Sequence, residues 1–247
     1  MERIFSYAVI LLAYLIGGGS LLFFVAFLIS GPFGFVHYNI SQTQALFWDA
    51  FLSILFFVQH SAMIRSSFRK RLTYLVQPQY QAAIYAVASG IVLAAVILLW
   101  QTTTTAIYSV HGPLHYLFYM VSVLAIFGMV WVVHALKTFD PFGRRSMIVH
   151  LRSQQQSPLQ LIVHGPYFWV RHPIYFFMLV LIWSTPEMNL DRLIFNTLWT
   201  VWIVVGSYFE ERDLVSEFGE SYRQYQKIVP MLIPWKGPIG KMQEVRV

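Results

Sequence analysis

No cysteine occurs anywhere in the 247 residues. The chain therefore has no disulfide, no thiolate metal ligand and no cysteine nucleophile, and the sequence carries no mark of its redox compartment. Charge is scarce as well, because Asp, Glu, Lys and Arg together make up only 11% of the chain. Residues 4–48 contain none of the four. About 20 apolar residues suffice for a helix to cross hydrocarbon, so residues 4–29 are expected to span a membrane. This run is too long for a signal-peptide core and has no small-residue cleavage site, which marks it as a retained first helix.

What the chain has instead is apolar and aromatic surface: 57% of residues are hydrophobic, 17% are aromatic, and mean hydropathy is +0.57. Such a composition belongs to an integral membrane protein and excludes a soluble domain. The net charge of +6 does not point to nucleic acid. Its basic residues fall in loops beside apolar runs, where the topology rule and anionic lipid account for them.

Further apolar runs lie at 45–64, 82–100, 114–136, 174–184 and 193–209. If each crosses, every Lys and Arg except Arg192 lies on one side, with the basic loops at 65–79 and 137–171 and both termini. By the positive-inside rule that side is cytoplasmic, and a bacterial inner membrane is the expected setting. The run 174–184 gives only about 16 Å of helix at 1.5 Å per residue, too short to cross alone. The turn Thr185–Pro186–Glu187–Met188–Asn189 then returns the chain as a helical hairpin. The expected fold is all-α: one polytopic membrane bundle over residues 1–247, with five full spans, one short helix and a cytoplasmic-face cofactor pocket. Spans fill residues 1–136; the cofactor loop, hairpin and tail fill 137–247. Thr102–Thr105 and Gln154–Gln156 read as loop.

Chemistry collects at the basic face. In "HGPYFWVRHPIY", Pro173 follows His172 as the first residue of a helix whose free N–H groups favour an anion. Arg171 can hold a carboxylate or phosphate, and Trp169 and the tyrosines offer flat faces to a ring or cation. An interfacial aromatic belt is the plain alternative for any one of these residues. The last span ends in Glu210 and Glu211, which read either as its solvated terminus or, because acidic groups there oppose the helix dipole, as partners of a cationic ligand. The second span ends with His60 and Arg65, on the same side, as does Asp140 of "KTFDPFG". Asp49 reads as a packing or interface residue, and Gly17, Gly18 and Gly19 read as sites of close helix packing or a bend. His37, His111, His115, His134 and His150 show no metal-ligand spacing, so no metal is expected.

The ordered set "LIVHGPYFWVRHPIY" and "YFEERDLVSEFGESYRQYQKIVPMLIP" resembles the C-terminal signature of the isoprenylcysteine carboxyl methyltransferase superfamily. That membrane fold usually binds S-adenosylmethionine and occurs also in phospholipid methyltransferases and in nicotinamide-dependent sterol reductases. "FFVQHSAMIR", "KTFDPFG" and "TPEMNLDRLIFNTLWT" extend the resemblance along most of the chain to the bacterial methanethiol S-methyltransferase family. The resemblance implies methyl transfer from S-adenosylmethionine to a small thiol, methanethiol, giving dimethyl sulfide and S-adenosylhomocysteine. The prenylcysteine enzymes carry a basic residue shortly before the acidic pair. Here Ser207, Tyr208 and Phe209 stand in that stretch, which suits a small uncharged substrate.

Under that resemblance the cofactor-binding set is His164, Gly165, Tyr167, Arg171, His172, Pro173, Tyr175, Glu210, Glu211 and Tyr222. Arg171 and the helix-start N–H groups would meet the donor's carboxylate, Glu210 or Glu211 its amino group and ribose. A thiol must lose its proton before it attacks, since even a cysteine-type thiol has a pKa of about 8.5. His60 is the first choice as base and Glu211 the second, with Arg65 stabilising the thiolate. Other readings are methylation of a lipid or larger thiol, reduction by a nicotinamide, and a non-catalytic membrane carrier. No obligate protein partner is expected beyond the bilayer.

Overall fold

The computed structural model describes residues 2–136, 140–152, 161 and 163–238. Lys137, Thr138 and Phe139 of the "KTFDPFG" element, the Gln154–Gln156 stretch, Lys241 and Arg246 lie outside the described residues.

The first apolar run forms α1 (Glu2–Leu12), a six-residue π-helical turn (Ala13–Gly18) and α2 (Gly19–Ser30). It is followed by α3 (Gln42–Ile64), α4 (Ser66–Leu72), α5 (Pro78–Leu99), strand β1 (Ala106–Ser109), α6 (Pro113–Ala135) and α7 (Arg144–Leu151). A 3-10 turn (Gly165–Phe168), α8 (Pro173–Trp183), β2 (Glu187–Asn189), α9 (Leu190–Phe218) and α10 (Glu220–Ile228) complete the chain. Local chemistry sets the starts. Ser41 and Gln44 form a reciprocal capping box before α3, and proline opens α5, α6 and α8. The reversal expected at 185–189 is built with a strand: β1 and β2 pair as a two-stranded ribbon.

Among the described residues, five helical segments are long and apolar enough to cross a membrane: Arg3–Ser30, Gln42–Ile64, Pro78–Leu99, Pro113–Ala135 and Leu190–Phe218. Helix α8 is the short sixth, at 11 residues. Large apolar side chains such as Leu22, Phe47 and Phe127 point outward at 66–76% exposure, as lipid-facing positions do. The interior mixes large side chains such as Phe27, Trp100 and Phe195 with small ones such as Ala13, Ala83 and Ser53.

The chain divides into two interleaved units. The first takes in Met1–Ile107, Asp140–Gln156 and Met188–Leu198, and the second Tyr108–Phe139, Ser157–Glu187 and Trp199–Val247.

In the first unit the expected close packing at the glycines is found at Gly17. A Cβ there would lie 2.9 Å from the Ala86 carbonyl oxygen, and one on Gly90 would lie 2.8 Å from that of Ile16. Only glycine lets the π-turn and α5 approach this closely. The pair α3 and α5 runs antiparallel, with rungs from Trp48 Nε1 to the Leu99 carbonyl (3.1 Å) and from Gln59 Nε2 to Ser89 Oγ (3.3 Å). Asp49 is a packing residue as expected: it is fully buried and accepts from the Gln101 N–H at 2.9 Å. Asp191 accepts from Trp100 Nε1 and from both the N–H and hydroxyl of Thr103. Arg192, the exception to the charge asymmetry, is 6% exposed and donates to the Phe27 and Leu28 carbonyls in the last turn of α2. A cation there complements the helix dipole; its place is set by packing.

In the second unit α8 lies on α6. Gly128 leaves a notch for the Phe177 ring, whose atoms would come within 2.3–2.5 Å of any Cβ there. Ser122 Oγ lies 2.8 Å from Ser184 Oγ at the far end of the same contact. Helices α8 and α9 form the expected hairpin. Trp183 pairs with Thr200 near the turn, Tyr175 with Glu210 and His172 with Glu211 at the open end.

Candidate active site

The open end of that hairpin, in the second unit, gathers most of the residues singled out from the sequence. The approach to it is fixed one residue at a time. His164 donates from Nε2 to the Ala135 carbonyl at the end of α6, 2.7 Å away. Gly165 has φ +61°, a left-handed conformation glycine adopts without strain, and it turns the chain into the 3-10 segment. Buried Pro166 receives the Trp169 and Val170 N–H groups on its carbonyl. His172 then ends the loop, and Pro173 takes the first helical position.

Arg171 is held entirely by its own chain at the contacts it makes. Its Nε donates to Glu211 Oε1 at 2.5 Å, and its Nη1 donates to the carbonyls of Gln226 (2.9 Å) and Val229. The Arg171 and His172 backbone N–H groups donate to the Pro230 and Met231 carbonyls at 2.9 and 3.1 Å. The segment after α10 thus straps the loop down. Glu211 also uses both its oxygens: Oε1 serves Arg171 and, at 3.3 Å, His172 Nε2, while Oε2 accepts from Gln226 Nε2 at 2.8 Å. Both side chains of the pair are 9% exposed. A buried charge pair that is further hydrogen-bonded, as this one is through Gln226 and the Gln226 and Val229 carbonyls, is compensated, and removing either member exposes the cost of burying the other.

Glu210 is different. Its side chain is 46% exposed, and it accepts from the Tyr175 hydroxyl at 2.9 Å. His172 Nδ1 lies 3.7 Å away on its other side. The His172 and Tyr175 rings stack, with centroids 5.5 Å apart and planes 16° from parallel. An outward carboxylate beside a hydroxyl and flat ring faces can hold ammonium, sulfonium or sugar hydroxyls.

The tyrosines form the floor. Tyr225 donates its hydroxyl to the Tyr167 carbonyl at 2.6 Å. Tyr222, 2% exposed, packs edge-on against the Tyr225 ring at 5.8 Å, with Val229 completing the cluster. Tyr222 is a core side chain here, with no open face for a ligand. Burial raises the phenol pKa of all three above the ordinary value, for Tyr167 with help from the Glu210 charge and for Tyr222 from that of Glu211. They stay neutral hydroxyls at any physiological pH.

In the first unit, His60 closes the last rung between α3 and α5. The Tyr85 hydroxyl lies 2.7 Å from its Nε2 and 3.0 Å from its Nδ1. Phe56, one turn earlier, lies with its ring 5.1 Å from the imidazole. Arg65 stands at the break between α3 and α4. Asp140 accepts from the Ser146 N–H at 3.0 Å in the first turn of α7, a helix-capping role.

Sequence reasoning missed Gln226, Tyr85 and the Pro230–Met231 strap. For Gln226 and the strap no local pattern gives them away. Tyr85 lies within an apolar span, where a lone tyrosine passes as an aromatic filler.

These features define a class: a multi-pass helical membrane protein whose C-terminal hairpin carries a buried Arg–His–Glu–Gln network beside an outward-facing carboxylate. A methanethiol S-methyltransferase of a Pseudomonas species is 32% identical over 212 residues, covering 83% of this chain and 77% of the relative. That of Mycobacterium tuberculosis is 32% identical over 197 residues, 78% of this chain and 79% of its own. That of Pseudomonas deceptionensis is 35% identical over 199 residues, 78% and 74%. The chain belongs to the methanethiol S-methyltransferase family, and it is a methyltransferase. More distantly, mouse nurim is 25% identical over 197 residues, 70% of each chain. No family model matches the chain, and no solved structure does.

Proposed function

We propose that the protein transfers a methyl group from S-adenosylmethionine to the sulfur of methanethiol, releasing dimethyl sulfide and S-adenosylhomocysteine. The observation that carries the donor assignment is Glu210, half-exposed while its neighbour Glu211 is spent on the fold. The corner fits such a donor: Glu210 and the Tyr175 hydroxyl suit its ammonium or ribose hydroxyls, and the stacked His172 and Tyr175 rings suit its cationic or aromatic part. The N–H groups of Ile174 and Tyr175, in the first turn of α8, suit its carboxylate. Arg171, Glu211, His164, Gly165 and Pro173 act as positioning residues, and Tyr167 and Tyr222 support them from below.

When bound, the donor supplies an electrophilic methyl on a positively charged sulfur. The protein's own task is to deliver a thiolate in dry surroundings. There the opposite charges of the reacting atoms cancel as the bond forms, so low polarity favours the step. His60 accepts the thiol proton, and Arg65 supplies positive charge toward the thiolate. Glu211 ranks below His60 as base because both its oxygens already accept hydrogen bonds. Arg192 no longer counts against a cytoplasmic site and cytoplasmic termini, since packing explains its position.

Purified protein given methanethiol and S-adenosylmethionine is expected to yield dimethyl sulfide in the headspace and an equal amount of S-adenosylhomocysteine. His60→Ala should reduce turnover by ~100-fold or more, in the usual range for loss of a general base, with S-adenosylhomocysteine affinity retained in calorimetry. Dimethyl sulfide formation at the wild-type rate by His60→Ala would remove His60 from the mechanism.

A further inference from the structure

We propose that the turn after α10 is seated in the headgroup layer of the bilayer, on anionic phospholipid, and that this contact backs the strap over Arg171 and His172. The segment presents some side chains inward and others outward. Val229 and Leu232 are buried at 0% and 7% exposure, whereas Ile233 and Trp235 stand out at 68% each and Ile228 at 39%. Lys236 closes the turn: its Nζ donates to the Lys227 carbonyl at 3.2 Å and lies 5.8 Å from the centre of the Trp235 ring. That contact brings Trp235 back toward the end of α10, where Ile228 stands. The outward apolar patch is edged by Lys236, by Lys227 and, one turn back on α10, by Arg223. The acidic group among them is Glu220, 3.9 Å from Lys227.

The height of this patch is set by the fold. The Pro230 and Met231 carbonyls accept from the N–H groups of Arg171 and His172, the two residues before α8. The Val229 carbonyl accepts from the Arg171 side chain, which also donates to Glu211. Both helices turn apolar at this point, α8 from Pro173 onward and α9 back from Phe209. The turn thus lies where two membrane helices leave hydrocarbon. Tryptophan, with an apolar ring and a polar N–H, is favoured at that depth, and lysine can bury its stem there while its amine stays wet. Tyr208, on the last apolar turn of α9, is outward at the same level at 60% exposure.

Charge chooses the occupant. Basic side chains at a membrane edge are attracted to a negative lipid surface, and with every apolar run crossing, all Lys and Arg except Arg192 fall on this side. Lipid under the turn presses it against the loop that it clasps. Bilayer charge therefore reaches the candidate site through the Pro230 and Met231 carbonyls, whatever the methyl donor.

The test uses the whole protein in nanodiscs, one copy per disc, of phosphatidylcholine alone or mixed with phosphatidylglycerol. Because the chain has no cysteine, Trp235→Cys supplies a single site for a nitroxide. Its collisions with oxygen and with a water-soluble nickel chelate report its depth. With phosphatidylglycerol present, the label is expected at headgroup depth. Omitting that lipid should lower the ratio of seated to free label by about 5-fold or more, the weight of one basic residue at an anionic surface. Lys227→Gln in the same labelled chain should lower the ratio by a similar factor in phosphatidylglycerol and leave it unchanged in phosphatidylcholine. Ile233→Cys carries the label in a second, independent variant and should report the same dependence; if one labelled chain fails to insert, the other decides. A label fully open to nickel in both compositions overturns the proposal, as does equal depth in both. Shielding found only in discs that hold two copies also overturns it, by assigning the patch to a second copy of the chain.

Discussion

Arg192 in the first unit and Arg171 in the second are both enclosed in protein, both donate to backbone carbonyls, and Arg171 also pairs with a carboxylate. Arg192 sits on the last turn of α2, next in sequence to Asp191, which is occupied by Trp100 and Thr103. That arrangement closes on itself and serves as a fastener. The Arg171 arrangement has the same saturation at Glu211 but carries an extra carboxylate, Glu210, with nearly half its side chain open. Under the proposed function, the contrast separates fastening charge from binding charge. The side chains most deeply tied into a network hold the fold, and the one left reaching outward is available to a ligand.

The comparison is broken most severely at the Arg171 network. Arg171→Ala or Glu211→Ala is expected to cost about 3–5 kcal/mol, the range for leaving one buried partner uncompensated, and to lower the melting temperature in detergent along with turnover. Should Arg171→Ala melt like the wild type while losing only cofactor affinity, the guanidinium would be a ligand contact and the contrast with Arg192 would fail. A smaller loss is expected from Asp191→Ala, which strands the Thr103 and Trp100 donors and costs on the order of 1–3 kcal/mol; S-adenosylhomocysteine affinity in the surviving protein should match the wild type. Smallest in stability is Glu210→Gln, within about 0.5 kcal/mol of wild type as for other surface changes. Its effect should fall on binding, with S-adenosylhomocysteine held ~10-fold more weakly, or about 1.4 kcal/mol. Calorimetry and thermal scans on the same samples separate these outcomes.

Much of the fold is legible in the chain because lipid imposes a coarse rule: backbone polar groups must be satisfied within a helix, so apolar length alone marks the five spans. The start of α8 is equally plain, since proline fixes the first helical position. The site is legible in part. Arg171, His172, Tyr175, Glu210 and Glu211 do meet at the open end of the hairpin. Their division of labour is hidden, because Glu210 and Glu211 are adjacent and chemically identical, and only the direction each takes from α9 separates them. Tyr222 illustrates the same limit: its spacing beside Tyr225 gives no sign that it is buried. Arg192 reads as a topological anomaly until the end of α2 is seen beneath it. The strap at Pro230 and Met231 acts through main-chain carbonyls, which every residue has, so side-chain chemistry cannot announce it.

That strap has a consequence for biosynthesis. Arg171 takes its carbonyl partners from positions 55 and 58 residues further on, and a ribosome makes them well after it. While the earlier helices are already entering the bilayer, the guanidinium has no clasp, and the ligand corner comes into being only once translation has passed Met231. Under the proposed function, a chain released before that point would carry the five long apolar helices yet lack the clasp on the loop that seats its methyl donor.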